Sequence, residues 1–341
     1  MRAILLCAGK GVRFRPVTDA LPKPLLPFLN VPLVSAHLRR LQEAGVGEVA
    51  INLHHLGDQI QSDLRHQASN LPKLTFFAEP QILGTAGALR NAAPFLSGQD
   101  FLVVNADTAI APDFARLLAS HRDSGRAATL LVTHNRDPQH YTPLQAEGDR
   151  ITAFGVHGPH PLLYTGVCVL SPRLLARIPA GETALVRHLW QPLLDEGREQ
   201  LGLLFHHDPY ADLGRPGDFL RASLEALDRG GAFPEGAGRF DERLRVLVRE
   251  PPAGFEAVDS VLGRVRVEPG ASIRRSAVWD GVSIGGGARL SDCLVARGHV
   301  PAGSDYAKAL LWSAVGGEVA AWPLSGLDGN DHGVQPFSPR R

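Results

Sequence analysis

Four short, predominantly apolar segments that alternate with helical patterns most constrain the fold of this chain. The segments are AILLCA at 3–8, VAINL at 49–53, FLVV at 101–104 and ATLLVT at 128–133. Helical patterns lie between them at 33–44, 56–66 and 112–122, and the alternation continues to a last helix at 216–228. Strands without a polar face, separated by helices, are typical of a mostly parallel sheet with helices on both faces. The sequence therefore predicts an α/β domain over residues 1–230.

A different period begins after a connector rich in glycine and proline at 231–256. Apolar residues then recur at steps of five or six: Val261, Val267, Ile273, Val278, Ile284, Leu290, Val295 and Val300. This period resembles the hexapeptide repeat of left-handed parallel β-helices. It predicts a short β-helix-like domain of about two coils over 257–315, with irregular strands of an antiparallel cap as the alternative. An irregular tail at 316–341 follows.

Composition excludes several classes of protein. The 341 residues carry 35 basic and 35 acidic side chains, and zero net charge disfavours a general nucleic-acid binder. No run approaches the ~18 consecutive apolar residues of a membrane span. The three cysteines, Cys7, Cys168 and Cys293, are widely spaced, which favours buried, reduced thiols and a cytoplasmic protein. Residues 1–40 nevertheless hold seven basic side chains against one acidic one, a local charge that suits a polyanionic small molecule.

The richest motif follows the first predicted strand and reads LCAGKGVRFRPVT at 6–18, with Pro22-Lys23-Pro24 shortly after it. A glycine turn after a strand lets backbone N–H groups approach phosphate oxygens. A dinucleotide fingerprint is excluded because Phe14 stands at the third glycine position, and no Walker loop is present. The remaining pattern resembles the signature of sugar-1-phosphate nucleotidyltransferases, although Val12 stands where Thr or Ser is common.

That resemblance implies a Rossmann-like, GT-A-like nucleotidyltransferase domain and assigns roles to the loop. Ala8, Gly9 and Gly11 would cradle the nucleotide. Arg13 and Lys23 would be the catalytic cations that bind the triphosphate and stabilise charge at the α-phosphorus.

A second stretch, EPQILGTAGAL at 79–89, resembles the family's base-binding segment and that of mannose-1-phosphate guanylyltransferases. It implies nucleotide contacts from Glu79, Gly84 and Thr85. A carboxylate at Glu79 can accept two hydrogen bonds from guanine, whereas uracil and thymine are matched better by glutamine. The residue type therefore favours GTP, unless a nearby arginine holds Glu79 instead.

Two further motifs imply a metal and a sugar subsite. Asp107 follows a buried strand in VVNADT, and Asp212 lies in YADLGRPGDF; by resemblance both bind Mg²⁺, while an N-cap role is the alternative for Asp212. Asp218 is expected at the surface. Asn105, with Thr165 and Gly166 of TGVCV, would contact the sugar phosphate, and Gly166 would allow a close approach to the backbone.

One element of many relatives is missing, because the chain has no lysine between 73 and 308. The family's E-K-P lysine grips the sugar phosphate; here His157, His160 or Arg187 would replace it, or the sugar phosphate is held differently. A lysine-free segment of this kind, together with the run NLHHL at 52–56, is similar to N-acetylmuramate-1-phosphate uridylyltransferases.

The resemblance thus implies an enzyme that forms an NDP-sugar and pyrophosphate from an NTP and a sugar 1-phosphate, with GTP and mannose 1-phosphate favoured. The alternatives are a uridylyltransferase acting on N-acetylmuramate 1-phosphate or glucose 1-phosphate, and a non-catalytic nucleotide-sugar sensor. An acyltransferase is disfavoured because two coils give little surface for acyl-CoA. Neither a nucleic-acid nor a membrane partner is expected, and the C-terminal domain is expected to mediate homo-oligomerisation or regulation.

Overall fold

A computed structural model describes residues 1–67, 71–197, 200–230, 233–250 and 255–324. The chain folds into two compact units. The first unit contains residues 1–10 and 37–210, and the second contains residues 11–36 and 211–341. No helix in the described ranges is both long enough and apolar enough to span a membrane.

Thirteen strands precede residue 213 in the described part of the chain. In order they are β1 (Arg2–Leu6), β2 (Pro27–Phe28), β3 (Val31–Pro32), β4 (Glu48–Leu53), β5 (Lys73–Ala78), β6 (Phe101–Asn105), β7 (Thr108–Ile110), β8 (Ala128–His134), β9 (Leu144–Glu147), β10 (Arg150–Phe154), β11 (Leu162–Leu170), β12 (Leu201–Phe205) and β13 (Tyr210–Asp212).

The α-helices of the described ranges are α1 (Leu33–Glu43), α2 (Gly57–His66), α3 (Gly84–Asn91), α4 (Ala93–Leu96), α5 (Phe114–Ser124), α6 (Gln191–Glu196) and α7 (Pro216–Arg229). The helices predicted at 33–44, 56–66, 112–122 and 216–228 correspond to α1, α2, α5 and α7. Helix α5 begins two residues later than expected because Asp113 caps it, accepting a hydrogen bond from the backbone N–H of Arg116 at 2.9 Å.

The first unit is built around one nine-stranded sheet in the order β5-β4-β1-β6-β11-β8-β12-β10-β9. Strand β1 pairs in parallel with both β4 and β6, as the uniformly apolar segments predict. Seven strands run in one direction, and β10 and β11 run against them. The mostly parallel α/β sheet is confirmed. Its reversed strand β11 follows the β9–β10 hairpin rather than a helical crossover, so it returns antiparallel between β6 and β8.

The strands of the second unit beyond residue 230 are mostly short and make a parallel β-helix. They are β14 (Arg239–Asp241), β15 (Val246–Val248), β16 (Glu256–Val258), β17 (Ser260–Leu262), β18 (Arg266–Val267), β19 (Ser272–Arg274), β20 (Ala277–Val278), β21 (Ser283–Ile284), β22 (Arg289–Ser291), β23 (Leu294–Arg297), β24 (His299–Val300), β25 (Asp305–Ala307), β26 (Ala309–Trp312) and β27 (Ala320–Pro323).

Three sheets form the faces of this β-helix: β16-β19-β22-β25, β18-β21-β24, and a seven-stranded sheet from β14 to β27. The eight apolar residues of the predicted period lie one in each strand from β17 to β24, and all are buried. The expectation of about two coils is too small. Three complete three-strand turns are present, and β25 and β26 begin a fourth. The estimate was too small because the predicted apolar series began after β16 and ended at Val300, before β25.

Both segments flanking the repeats contain strands that the sequence did not predict. The expected connector at 231–256 holds the antiparallel pair β14–β15, and the expected irregular tail holds β27, which pairs antiparallel with β26. The rest of the predicted tail, 325–341, lies outside the described residues. The boundaries proposed from sequence at 230 and 256 stay predictions.

Candidate active site

The carboxyl ends of three neighbouring strands of the first unit are joined by one buried network. Asn52, in β4, accepts a hydrogen bond from the backbone N–H of Cys7 at 2.7 Å and donates to Glu79 Oε1 at 2.8 Å. Glu79 follows β5, and its Oε2 accepts from the backbone N–H of Leu83 at 3.0 Å, next to α3. Glu79 is only 3 % exposed. Both oxygens of the carboxylate assigned from sequence to guanine are therefore used inside the fold.

The next predicted nucleotide contacts, Gly84 and Thr85, begin α3 and hold a distant segment. Gly84 has a φ of +71°, and a Cβ there would overlap the carbonyl oxygen of Thr183. The hydroxyl of Thr85 accepts a hydrogen bond from the backbone N–H of Leu185 at 2.9 Å. Only glycine fits at 84, since the chain approaches closely there and the backbone is left-handed.

The predicted sugar side shows a close approach of a different kind. Gly166 interrupts β11 at a φ of +84°, where the register with β8 shifts between Tyr164 and Cys168. A Cβ at Gly166 would lie 2.5 Å from Asn105 Nδ2, so the glycine admits the Asn105 carboxamide. The neighbouring Thr165 hydroxyl is buried and donates to the carbonyl of Leu131 at 2.9 Å. The structure therefore brings Asn105 and Gly166 together, and turns the Thr165 side chain into the sheet.

Asp107 lies half-buried immediately after β6, the place that the apolar run before it predicts. The turn that contains Asp107 is held by His37, whose Nε2 lies 2.9 Å from the carbonyl oxygen of Thr108. Burial lowers the pKa of His37 to about 4, while the Thr108 contact opposes that shift. The ring is therefore neutral near pH 7, and its Nε2–H donates to the carbonyl. Burial and the Asp107 charge together raise the pKa of the Cys7 thiol, which stays protonated.

In the second unit the glycine loop closes on itself. Gly11 has a φ of +62°, and its carbonyl accepts hydrogen bonds from the Thr18 hydroxyl at 2.7 Å and from the Phe14 N–H at 2.8 Å. A Cβ at Gly11 would lie 2.9 Å from Thr18 Cγ2. Thr18 is a member of the loop that the motif contains but that sequence reasoning gave no role.

The two predicted catalytic cations converge on one predicted metal ligand. Arg13 Nη2 lies 3.6 Å from Asp212 Oδ2, and Lys23 Nζ lies 3.8 Å from Asp212 Oδ1. The side chains of Lys23 and Asp212 are 7 % and 13 % exposed, whereas that of Arg13 is 46 % exposed. The Arg13 guanidinium rests on Gly214, where a Cβ would lie 2.5 Å from Nη2. A partly buried cluster with two cations and one carboxylate is suited to a phosphate group and its counter-ion.

A family model described as nucleotidyl transferase matches residues 2–229 of the chain. The chain belongs to the nucleotidyl transferase family. This confirms the family resemblance predicted from the glycine loop and its lysine, and with it the interpretation of the chain as a sugar-1-phosphate nucleotidyltransferase enzyme.

Relatives and solved structures extend the match beyond the glycine loop. A probable mannose-1-phosphate guanylyltransferase 1 of Oryza sativa is 30 % identical over 87 % of this nucleotidyl transferase and 82 % of the relative. The mannose-1-phosphate guanylyltransferase of Mycobacterium tuberculosis is 27 % identical over 86 % and 83 %. The structure of HddC from Yersinia pseudotuberculosis, complexed with GMP-PN, is 21 % identical and has a TM-score of 0.56. The match covers 66 % of this chain and 98 % of that chain, and supports the fold.

Asp212 does not cap the last helix of the nucleotidyl transferase domain. Helix α7 has Arg215 at its N-cap, without a side-chain cap hydrogen bond. Asp218, expected at the surface, is instead half-buried and pairs with Arg221. Burial raises the pKa of Asp218 despite that pairing. It lies in the first turn of α7, where a carboxylate is favoured by the helix dipole.

The residues that could replace the family's E-K-P lysine are all solvent-exposed in this nucleotidyl transferase. His157, His160 and Arg187 each lie at the surface of the first unit. A role for any of them in sugar-phosphate binding stays a prediction.

The metal ligands predicted from sequence are two carboxylates, Asp107 in the first unit and Asp212 in the second. Within the described residues no group of three or more His, Cys, Asp or Glu side chains forms a closed metal site. Carboxylate oxygens are the protein ligands that Mg²⁺ takes, one or two at a time, with water and substrate phosphates completing its shell.

Proposed function

We propose that the chain forms GDP-mannose and pyrophosphate from GTP and mannose 1-phosphate. The observation that carries the proposal is the convergence of Arg13 and Lys23 on Asp212, because this cluster can hold a triphosphate beside its metal ion. The choice of GTP and mannose 1-phosphate is supported by relatives named mannose-1-phosphate guanylyltransferase that cover more than 80 % of both chains.

The reaction is an in-line displacement at the α-phosphorus. A phosphate oxygen of the sugar 1-phosphate attacks, the bond to the β-phosphate oxygen breaks, and pyrophosphate leaves with the bond electrons. No covalent intermediate is needed, so catalysis consists of positioning and charge neutralisation. Arg13 and Lys23 bind the triphosphate and the developing charge, Ala8, Gly9 and Gly11 line its path, and Asn105 and Gly166 form the sugar side, which Thr165 supports from within the sheet through its hydrogen bond to Leu131. Asp107 and Asp212 would hold Mg²⁺, which would supply further neutralisation of phosphate charge.

Glu79 gives this proposal less support than its residue type promised. Its oxygens each accept one hydrogen bond, from Asn52 and Leu83, and although each keeps a second lone pair, the side chain is only 3 % exposed, which limits its access to a base. The proposal of guanine as the base therefore depends on the similarity to relatives named guanylyltransferase. A uridylyltransferase acting on N-acetylmuramate 1-phosphate or glucose 1-phosphate is the second candidate, favoured by the absence of lysine between 73 and 308.

A matrix assay tests the proposal. Purified protein, Mg²⁺, each of the four common NTPs and a panel of sugar 1-phosphates are combined, and pyrophosphate release is measured. GTP with mannose 1-phosphate should give the highest kcat/KM. A preference for UTP would move the assignment to the second candidate, and nucleotide binding without turnover of any pair would favour a sensor.

Two substitutions test the assigned roles. Lys23→Ala and Asp107→Ala should each abolish measurable pyrophosphate release while thermal unfolding stays cooperative, because Lys23 would offset triphosphate charge directly and Asp107 would hold the Mg²⁺ that does so. Lys73→Ala and Asp123→Ala remove the same charges at exposed positions and should keep wild-type turnover. Wild-type rates in Lys23→Ala or Asp107→Ala would contradict the assignment.

We further infer a cytoplasmic enzyme whose partners are its NTP and sugar 1-phosphate, with no nucleic acid or membrane. Its three buried thiols and the intracellular supply of NTP support this location. Homo-oligomerisation through residues 257–315 is the remaining expectation, and the molar mass of the purified chain in light scattering would measure it.

A further inference from the structure

The side chain next to Arg13 is buried in an aromatic cluster formed by Phe14, Phe28, Phe219 and Trp279. Phe14 has no exposed surface, and its ring centroid lies 5.7 Å from that of Phe219 in α7, at an edge-to-face angle of 82°. The indole of Trp279 stacks on Phe14 at 6.5 Å and 20°. Trp279 directly follows β20, in the second turn of the β-helix, and is 4 % exposed. The loop of the glycine motif is therefore packed against the β-helix.

A second contact fixes the far end of the same segment. Asn30 is 3 % exposed, and its Nδ2 donates to the carbonyl oxygens of Ala237 and Leu262, both at 2.9 Å. Leu262 is in β17, and its register partner Val278 immediately precedes Trp279. Leu29 and Asn30 both have positive φ, as a tight turn between β2 and β3 requires. Residues 11–36, which carry Arg13 and Lys23, are thus attached to two adjacent turns of the β-helix.

These contacts leave little freedom to the Arg13 backbone. Phe14 is held through its ring, and its N–H is hydrogen-bonded to Gly11. Arg13 lies between these two fixed residues, and its guanidinium reaches Gly214 and Asp212 from there. We propose that Trp279 is a positioning residue: by holding the Phe14 ring, this β-helix side chain sets the place of the Arg13 guanidinium that binds the triphosphate.

The inference rests on the proposed triphosphate role of Arg13. It gives the C-terminal domain the role of positioning a side chain that binds substrate. Trp279→Ala removes the indole that stacks on Phe14 and leaves that ring held by Phe219 alone among the two contacts given above. A displacement of about 1 Å in a group that positions substrate can lower a rate by about 100-fold. We therefore expect kcat/KM to fall at least about ten-fold in Trp279→Ala, with a weaker Kd for the NTP. Trp279→Phe keeps a ring on Phe14 and should restore most of both.

A large-to-small substitution at another buried aromatic residue of the β-helix provides the matched control. Tyr306, in β25, is 3 % exposed and belongs to the β-helix core, but it is not in the aromatic cluster. Tyr306→Ala should lower the melting temperature of the full chain as Trp279→Ala does, and keep near wild-type kcat/KM at temperatures where the variant is folded. Equal activity losses in the two variants would overturn the proposal, because they would show that domain stability alone matters.

The decisive measurement is a double-mutant comparison with Arg13→Ala. If Trp279 acts through Arg13, Trp279→Ala weakens NTP binding in the wild-type background and adds little in the Arg13→Ala background. An equal factor in both backgrounds would overturn the proposal. Binding of GTP and of UTP is measured by calorimetry, independently of turnover. A protein that turns over no substrate pair would then refute the proposed function while the binding comparison still tests the role of Trp279.

Discussion

Gly9 and Gly11 are two residues apart in the same loop, and the fold requires glycine at only one of them. A Cβ at Gly11 would contact Thr18, and its φ is +62°. A Cβ at Gly9 would meet no heavy atom within 4 Å among the described residues. The conformational demand therefore falls on Gly11, and space beside Gly9 is left for the nucleotide that the proposal places there.

Alanine at each position separates these two demands. Gly11→Ala should destabilise the protein by roughly 1–2 kcal/mol, because an L-residue is strained in the left-handed region. Gly9→Ala should leave the melting temperature unchanged and weaken the Kd for the NTP, because the new methyl group occupies the path of the phosphates. Thermal unfolding and calorimetry measure the two effects, and unimpaired binding by Gly9→Ala would remove it from the site.

Gly214 offers a test of Arg13 that leaves the arginine in place. Its backbone is not left-handed, so alanine is allowed there, but the added Cβ would overlap the Arg13 guanidinium. Because that group ends a flexible side chain, Gly214→Ala should fold normally and displace it. We expect kcat/KM to fall by at least ten-fold, which corresponds to about 1.4 kcal/mol or more of lost transition-state binding. Gly317→Ala is the control: a Cβ there has no close neighbour among the described residues, so kcat/KM should stay unchanged.

At the scale of residues, motif spacing selected candidate site residues whose roles stay predictions, and it could not show all of their contacts. The resemblance gave Arg13 and Lys23 one role and Asp212 another, and the structure shows that the three side chains lie together. Sequence could not show that Glu79 is held by Asn52, since the two residues are 27 positions apart and meet only because β4 and β5 are neighbours. The polar Asn52 at the end of an apolar strand was the one available signal.

At the scale of elements, the β-helix carries a column of alternating charge at one corner. One or two residues before each of five strands of the long sheet, the chain has a φ of 48–52°, and the series reads Arg245, Asp259, Arg275, Asp292 and Lys308. Arg245 pairs with Asp259, and Arg275 Nε lies 2.8 Å from Asp292 Oδ1. Because coils stack directly on one another, opposite signs at this corner avoid repulsion between turns.

Reversing one of these charges tests whether their alternation stabilises the β-helix. Asp292→Lys places three cations at successive corners, and we expect it to lower the free energy of unfolding by about 1 kcal/mol. The exchanged pair, Arg275→Asp with Asp292→Arg, restores that pairing but places each exchanged charge beside a like neighbour, so it should recover only part of the loss. Urea unfolding at low and high salt measures both variants. A salt-independent effect of Asp292→Lys would attribute the loss to backbone strain instead.

The elements that sequence predicted are those with a regular apolar period. The uniformly apolar strands and the five-to-six-residue repeat placed β1, β4, β6, β8 and the strands from β17 to β24. The hairpin β9–β10 and the pair β14–β15 were missed because their strands are short and partly exposed, so neither alternation nor an apolar run marks them. The apolar series predicted from sequence also began at Val261, one residue out of register: the residue of β17 that pairs with Val278 is Leu262.

At the scale of the molecule, the chain passes between the two units three times, after residues 10, 36 and 210. The segment with Arg13 and Lys23 belongs to the second unit, together with the β-helix. Contact of this kind between distant parts of the chain has no local sequence pattern, so it could not be predicted from the sequence. Unfolding of the β-helix should therefore release the catalytic segment.

This dependence can be measured with the protein's own tryptophans. Trp279, Trp312 and Trp322 lie in the second unit, and Trp190 lies in the first. In a Trp190→Phe variant, emission reports the second unit alone. As urea is raised, pyrophosphate release should disappear together with the emission transition. Activity that persists after the emission change is complete would show that the catalytic segment does not depend on the β-helix.

The two antiparallel strands that end the long sheet of the β-helix have a consequence for behaviour at high concentration. A parallel β-helix that ends in an open strand is a template on which another chain can continue the sheet. Here β14 covers one end and β27 the other, and each carries residues that discourage pairing: Arg239 and Asp241 in β14, and Pro323 in β27. This sheet is therefore protected against end-to-end growth into fibrous aggregates, and truncations that remove β27 would expose it.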